Sequence, residues 1–308
     1  MRRYLKIDHG KIVEASNGEG TIHVFIAPDD AETKILVNEF GIDEHTLVSC
    51  LDPEELSRLE FEPEHTVFIM KRPKNYSSKD NFLFKVASTG AFLFSDKLVI
   101  VLAEEAQIIE GKLFNNITSL QDIILRMIHR AIFHFEEHLK VINMISSSLE
   151  QAIDTSMDNK HLLNLFTLEK SLVYYLNAIN SNSVLIEKTR NNASRISLST
   201  ENLEQLDDTI IENNQCREMA TIYSNILAGL MDARASIVAN NLNVIMKTLN
   251  VVMIALMLPT LIVSVFSMNI PLPTPKPEGT ELWAFWMVMI LATASATFVA
   301  VLWWRKKI

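Results

Sequence analysis

The sequence predicts an α+β membrane protein in three parts: an α/β domain, a stalk of long helices, and two membrane-spanning helices near the C-terminal end. Three observations carry that reading. Pro28, Pro53, Pro63 and Pro73 all fall before residue 75, with no further proline until Pro259. Between Lys112 and Leu258 the sole glycine is Gly229. Two stretches, Thr248–Pro275 and Leu282–Trp304, contain no charged residue, and each exceeds the roughly 20 residues that a helix needs to cross a hydrocarbon core.

The α/β domain is expected over 1–115. Short β-type runs at Thr21–Ile26, Thr66–Met70, Asn81–Val86, Ala91–Phe94 and Leu98–Leu102 alternate with helical patterns at Ala31–Phe40 and Asp43–Arg58. Long helices and the stalk are expected over 116–247. Thr118-Ser119-Leu120-Gln121 has the form of a capping box that opens a helix. Turns near Asp154–Asn159 and Asn191–Thr200 then give an antiparallel pair. The last helix starts near Glu201 and meets no stop before the uncharged stretch; unbroken to Ser267 it would run on the order of 100 Å.

The membrane part is expected over 248–308, with spans at about 249–269 and 282–304 and an external loop at 270–281. Trp283, Phe285 and Trp286 anchor one interface, and Trp303 and Trp304 the other. Arg305, Lys306 and Lys307 follow, and the positive-inside rule puts that tail in the cytoplasm. Two crossings then put the N-terminal bulk there as well. The first residues, MRRYLKIDHGK, lack the apolar run of a signal peptide. The expected location is the cell inner (plasma) membrane, multi-pass, with both termini cytoplasmic. The connector IPLPTPKPEGTE reads as a short extended loop.

Bulk properties narrow the function. The formal net charge is −9, and no basic field of the kind that binds nucleic acid is present. Cys50 and Cys216 stand far apart without zinc-type spacing. His134-Phe135-Glu136-Glu137-His138 matches a zinc-peptidase pattern, yet no third ligand accompanies it, and interfacial histidines are the simpler reading. Lys71-Arg72-Pro73-Lys74 reads as a solvated turn. No phosphate loop and no nucleophile–base signature stands out, so an enzyme is not expected.

One face of the first span is different. Within Leu249–Ser267 the only Asn, Met, Thr and Ser residues are Asn250, Met253, Met257, Thr260, Ser264 and Ser267, spaced at three and four, and the series extends back to Met246 and Asn243. That spacing is a single helical edge. Two readings compete: a dry seam between helices, or the lining of a pore shared by several copies, with Asn243, Asn250, Thr260 and Ser264 as polar rings and Met246, Leu249, Met253 and Met257 as an apolar constriction. Two spans cannot enclose a path, so a pore requires an oligomer. Pro259 kinks or hinges this helix, and Ala292–Thr297 offers small residues for close packing.

From Pro259-Thr260 through Ser267-Met268-Asn269 to the short loop, second span and basic tail, the sequence resembles the CorA-type magnesium channel family. Leu51-Asp52-Pro53-Glu54-Glu55 and Phe61…Val67-Phe68-Ile69-Met70 look like its cytosolic segments. The resemblance implies a funnel-shaped homopentamer embedded in membrane lipid, with no nucleic-acid partner, that passes divalent cations. Mg²⁺ is the implied cargo and regulator, with Zn²⁺, Co²⁺ or Ni²⁺ as alternatives. It also implies that Asn269, with Met268 and Ser267, forms a selectivity filter that holds a hydrated cation. Ser264, Thr260, Met257, Met253, Leu249, Met246 and Asn243 match the family's pore face. The resemblance puts a regulatory cation at Asp208, with Asp207 adjacent and Asp80 as the facing carboxylate; a solvated acidic pair is the alternative. Ser267 stands where the signature has glycine, and the connector lacks the family's Met-Pro-Glu-Leu run. A two-span sensor or scaffold without conduction is the rival from another class.

Overall fold

The computed structural model describes residues 1–15, 20–77, 81–155, 159–268 and 281–306. It forms two compact units, Met1–Met231 and Asp232–Ile308.

The first unit begins with strands β1 (Arg2–Asp8), β2 (Lys11–Glu14) and β3 (Ile22–Ile26), then helices α1 (Asp30–Asn38) and α2 (Glu44–Leu51). Strands β4 (Arg58–Phe61), β5 (Thr66–Pro73), β6 (Val86–Leu93) and β7 (Leu98–Leu102) follow. The strand order is β2-β1-β3-β7-β6-β5-β4. The β3–β7 pair is parallel and the other pairs are antiparallel.

Both faces of the sheet are covered, and the period of two in each strand divides its side chains between two cores. Val67, Ile69, Val99 and Val101 join Leu36, Leu47 and Cys50 of α1 and α2. Phe68, Met70, Leu98, Ile100 and Leu102 join the core of the long helices. Those are α3 (Leu120–Thr155), α4 (Asn159–Asn191) and the start of α6 (Thr200–Phe266), with the single turn α5 (Ala193–Ile196) before it. Leu206, Cys216, Ala220 and Leu227 are α6's share of that core.

Local chemistry sets the boundaries. Asp29 caps α1 in a reciprocal box with Glu32, and the Asp43 carboxylate accepts from Thr46 N at the start of α2. Asp52 leaves the helical region at ψ 118°, as a residue before proline does, so α2 stops at Leu51, short of the expected Arg58. Residues 81–85 are not a strand. Asn81 and Phe82 have positive φ, and Phe84 N donates to Ser171 Oγ of α4 at 3.0 Å instead of to a ladder. The hairpin β1–β2 turns on His9 and Gly10, both at positive φ, as a primed two-residue turn requires.

Lys71-Arg72-Pro73-Lys74 is a further correction. Its first three residues continue β5 to Pro73, and Lys71 and Arg72 are buried. Lys71 Nζ donates to Pro53 O at 2.6 Å and to Ser88 Oγ at 2.9 Å. These non-local acceptors replace the water that a turn would have offered.

The second unit contains the rest of α6 and α7 (Glu281–Lys306). Each helix holds a stretch long and apolar enough to span a membrane. Leu256, Met257, Leu261 and Ile290 are 60–68% exposed, an apolar surface far beyond what a water-soluble chain leaves uncovered. The chain is a membrane protein by this measure. The connector and Lys307 lie outside the described residues.

Candidate functional site

Along the membrane part of α6, Asn243, Met246, Leu249, Asn250, Met253, Met257, Thr260, Ser264, Ser267 and Met268 are all exposed. Thr248, Val251, Ala255, Leu258, Pro259, Ile262 and Phe266 are partly covered. At about 100° per residue the two sets fall on opposite sides of the helix. In α7 the shielded positions among the described side chains are Met287, Val288, Ala292, Ser295, Ala296, Val299 and Trp303, with Ala292 buried; the small residues in the middle of that stripe suit close approach. The polar edge of α6 therefore lies directly opposite the covered strip, within a wider exposed surface that also carries Val252, Leu256, Leu261 and Val263.

Hydroxyl orientation gives that edge a sign. Thr260 Oγ1 donates to Leu256 O at 2.7 Å, and Ser267 Oγ donates to Ser264 O at 2.9 Å. With their protons committed inside the helix, both oxygens present lone pairs outward. Acceptors of that kind suit a cation or the water around one, whereas an anion needs donors. The helix ends at Phe266, and the partial negative charge of its C-terminal carbonyls adds to the same preference. Pro259 has no N–H, so the Ala255 carbonyl lacks its usual donor. Asn269, the expected collar, lies outside the described residues.

Of the three acidic residues expected at a regulatory site, Asp80 also lies outside the described residues. Asp207 is taken by Arg190: two of its guanidinium nitrogens, Nε and Nη2, donate to the carboxylate, Nη2 at 3.1 Å. That pair, led by the hydrogen bond, holds the Asp207 carboxyl below its ordinary value. Asp208 is exposed and has no hydrogen-bond or ion-pair partner among the described residues. Within one chain, the described residues contain no group of three acidic, His or Cys side chains able to hold a metal.

The His134–His138 pattern is interior packing. His138 Nδ1 lies 2.6 Å from the Tyr175 hydroxyl, its ring stacks near Tyr175 and meets Phe84 edge-on, and burial pushes its pKa down to about 4. Sequence reasoning missed the buried Arg72, because a cation that ends a strand looks the same in sequence as one in a turn. The acceptor-only hydroxyls did leave a signal: Thr and Ser inside a helix bond back to the preceding turn.

Comparison with known proteins decides the family. The description "CorA-like Mg2+ transporter protein" matches residues 22–306. This chain belongs to that family. CorA-like proteins are transporters of divalent cations and not enzymes. Among curated proteins, the cobalt/magnesium transport protein CorA of Methanocaldococcus jannaschii is 24% identical over 281 residues, covering 86% of this chain and 83% of that protein. Among solved structures, the complete CorA magnesium transporter of the same organism superposes with a TM-score of 0.79 at 18% identity, covering 98% of this chain and 96% of that one. The full-length CmaX protein gives 0.70 at 13% identity, with 100% and 98% covered. The ZntB cytoplasmic domain from Vibrio parahaemolyticus gives 0.58 at 12% identity, with 75% and 95% covered. At these identities the structural likeness establishes the CorA fold alone.

Proposed function

We infer that the chain is one subunit of a homopentameric channel in the inner membrane that lets Mg²⁺ enter the cell. The observation that carries the inference is the exposed polar edge of α6 opposite its covered strip, where the Thr260 and Ser267 hydroxyl oxygens are turned outward as acceptors. Copies arranged about an axis turn that edge inward and make an aqueous path. Asn269 collars the outer mouth, and its amide oxygens hold the cation through the water that Mg²⁺ sheds reluctantly. Met246, Leu249, Met253 and Met257 form the apolar constriction that closes by losing its water. Both termini lie in the cytoplasm.

No covalent step is involved. The membrane potential drives entry by about 2.3 kcal/mol per charge per 100 mV, doubled for a divalent ion. Rising cytosolic Mg²⁺ closes the channel by binding between subunits at Asp208. Arg190 already occupies Asp207, so Asp208 is the carboxylate left to supply.

The stripe holds no His or Cys, which favours a hard cation. Co²⁺ is the second cargo, because the archaeal relative is named for cobalt as well as magnesium. Flux into proteoliposomes, with Mg²⁺, Co²⁺ and Zn²⁺ compared, tests the proposal. Inward Mg²⁺ flux that Asn269→Ala abolishes is expected. Flux of Zn²⁺ alone would reassign the cargo, and no flux of any ion would leave a scaffold. For the regulatory site, millimolar Mg²⁺ should protect the first unit from proteolysis in wild type and not in Asp208→Ala. Absent protection in wild type counts against the sensor.

A further inference from the structure

A cavity of about 320 Å³ opens between α3, β5, β6 and the segment that follows β7. That volume lies at the lower end of the range for small-molecule sites. Arg72 lies at its base with only 6% of its side chain exposed. Its Nε donates to Thr89 Oγ1 at 3.3 Å and its Nη1 to Pro73 O at 3.2 Å, while the buried Nη2 makes no hydrogen bond. Glu104 Oε1 is 3.5 Å from Nη2, a long ion pair, and the other Glu104 oxygen accepts from Lys74 Nζ at 3.0 Å. A guanidinium this buried is normally saturated with acceptors. This one lines the cavity with Nη2 held only by the long Glu104 pair.

Across the cavity on α3 stands a second guanidinium, Arg130, whose Nη1 donates to Glu110 O at 3.1 Å. His134 lines the same space, and its pKa is lowered by burial first and then by Arg72 and Arg130 together, so both cations act there. Glu137 is the only acid among the described lining residues and is exposed at the rim. Met70, Met127 and the half-exposed ring of Phe133 form apolar walls.

We propose that this cavity binds a small organic oxyanion, its carboxylate or phosphate head on Arg72 and Arg130 and its body against Met70, Met127 and Phe133. Planar guanidiniums recognise both heads through paired hydrogen bonds. A ligand there touches α3 and the sheet at once, which gives the first unit a site for a small metabolite distinct from the cation path.

The test is titration calorimetry on the full-length protein in detergent, without divalent metal and at constant ionic strength, a readout independent of transport. The probes are benzoate, phenyl phosphate and the uncharged benzyl alcohol. Wild type should bind at least one of the anions saturably at one site per chain, the tighter anion identifying the head, with benzyl alcohol at least about tenfold weaker. Arg72 is packed and paired, so Arg130→Gln carries the test and should weaken the anion about tenfold or more. Ala131→Leu, which fills the cavity without altering a charge, should abolish binding. Equal anion affinity in both variants, equal binding of benzyl alcohol, or no saturable binding by wild type would overturn the proposal.

Discussion

Acidification should destabilise the first unit through His138, and the size of the effect follows from its surroundings. The residue is 9% exposed, its Nδ1 is hydrogen-bonded to the Tyr175 hydroxyl, and His134 lies 4.3 Å away, centroid to centroid. Burial, then the charge His134 can carry, lowers its pKa to about 4. The folded state therefore holds the neutral ring, while the unfolded chain takes up a proton near pH 6.5. Stability is intact above about pH 6.5, falls as pH drops from there to about 4, and levels off below. The full difference is about 3 kcal/mol, of which about 2 kcal/mol is lost between pH 7 and pH 5. At roughly 2–4 °C per kcal/mol for a unit of this size, the wild-type unfolding midpoint should drop between those pH values by about 4–8 °C more than that of His138→Gln, which keeps an acceptor for Tyr175 and cannot titrate. His23, His65 and His134 are shifted the same way, so the comparison with the variant, not the raw drop, isolates His138. Equal drops in the two proteins would refute the reasoning.

Three further expectations follow. Gly90→Ala would put a Cβ against Cys50 Sγ and 2.8 Å from Cys50 Cβ across the sheet–α2 core, costing about 1–3 kcal/mol; Cys50→Gly in the same chain should recover part of the lost midpoint, and independent effects would show the two sites do not touch. Thr260→Val removes an outward acceptor without changing side-chain shape and should cut Mg²⁺ flux about tenfold in proteoliposomes, with Thr260→Ser retaining it. Cys50 and Cys216 are buried, and burial pushes both thiols up to about 12, so maleimide at pH 7 should label neither until the protein is denatured.

What could be read in advance depended on how local the governing physics is. The long helices were legible because nothing interrupts them, and α6 begins at Thr200, one residue from the expected Glu201. Strands β5 and β7 announced themselves as apolar runs, whereas β6 (Val86–Leu93) showed only its end at Ala91–Phe94, because Ser88, Thr89 and Gly90 interrupt its apolar pattern. Strands β1, β2 and β4 did not: β1 buries only Leu5, and β2 and β4 are the edges of the sheet, polar on the outward side. The parallel β3–β7 pairing joins segments more than 70 residues apart and leaves no local trace. At the candidate site, spacing alone drew the polar edge of α6. Only the coordinates showed that this edge lies opposite the covered strip of the helix. The Arg190–Asp207 pair spans 17 residues and two helices, so the sequence, which matched Asp208 to the site with Asp207 beside it, could not show that Asp207 is already engaged.

Single-cysteine accessibility along α6, with the two shielded native thiols left in place, probes the conduction path most directly. Thr260→Cys and Ser264→Cys lie on the polar edge, whereas Val252 and Val263 are exposed but lie about a quarter turn off it. A water-soluble methanethiosulfonate should block Mg²⁺ flux through Thr260→Cys and Ser264→Cys and spare Val252→Cys and Val263→Cys. Block at the two valine positions, with the Thr260 and Ser264 variants untouched, would contradict the account.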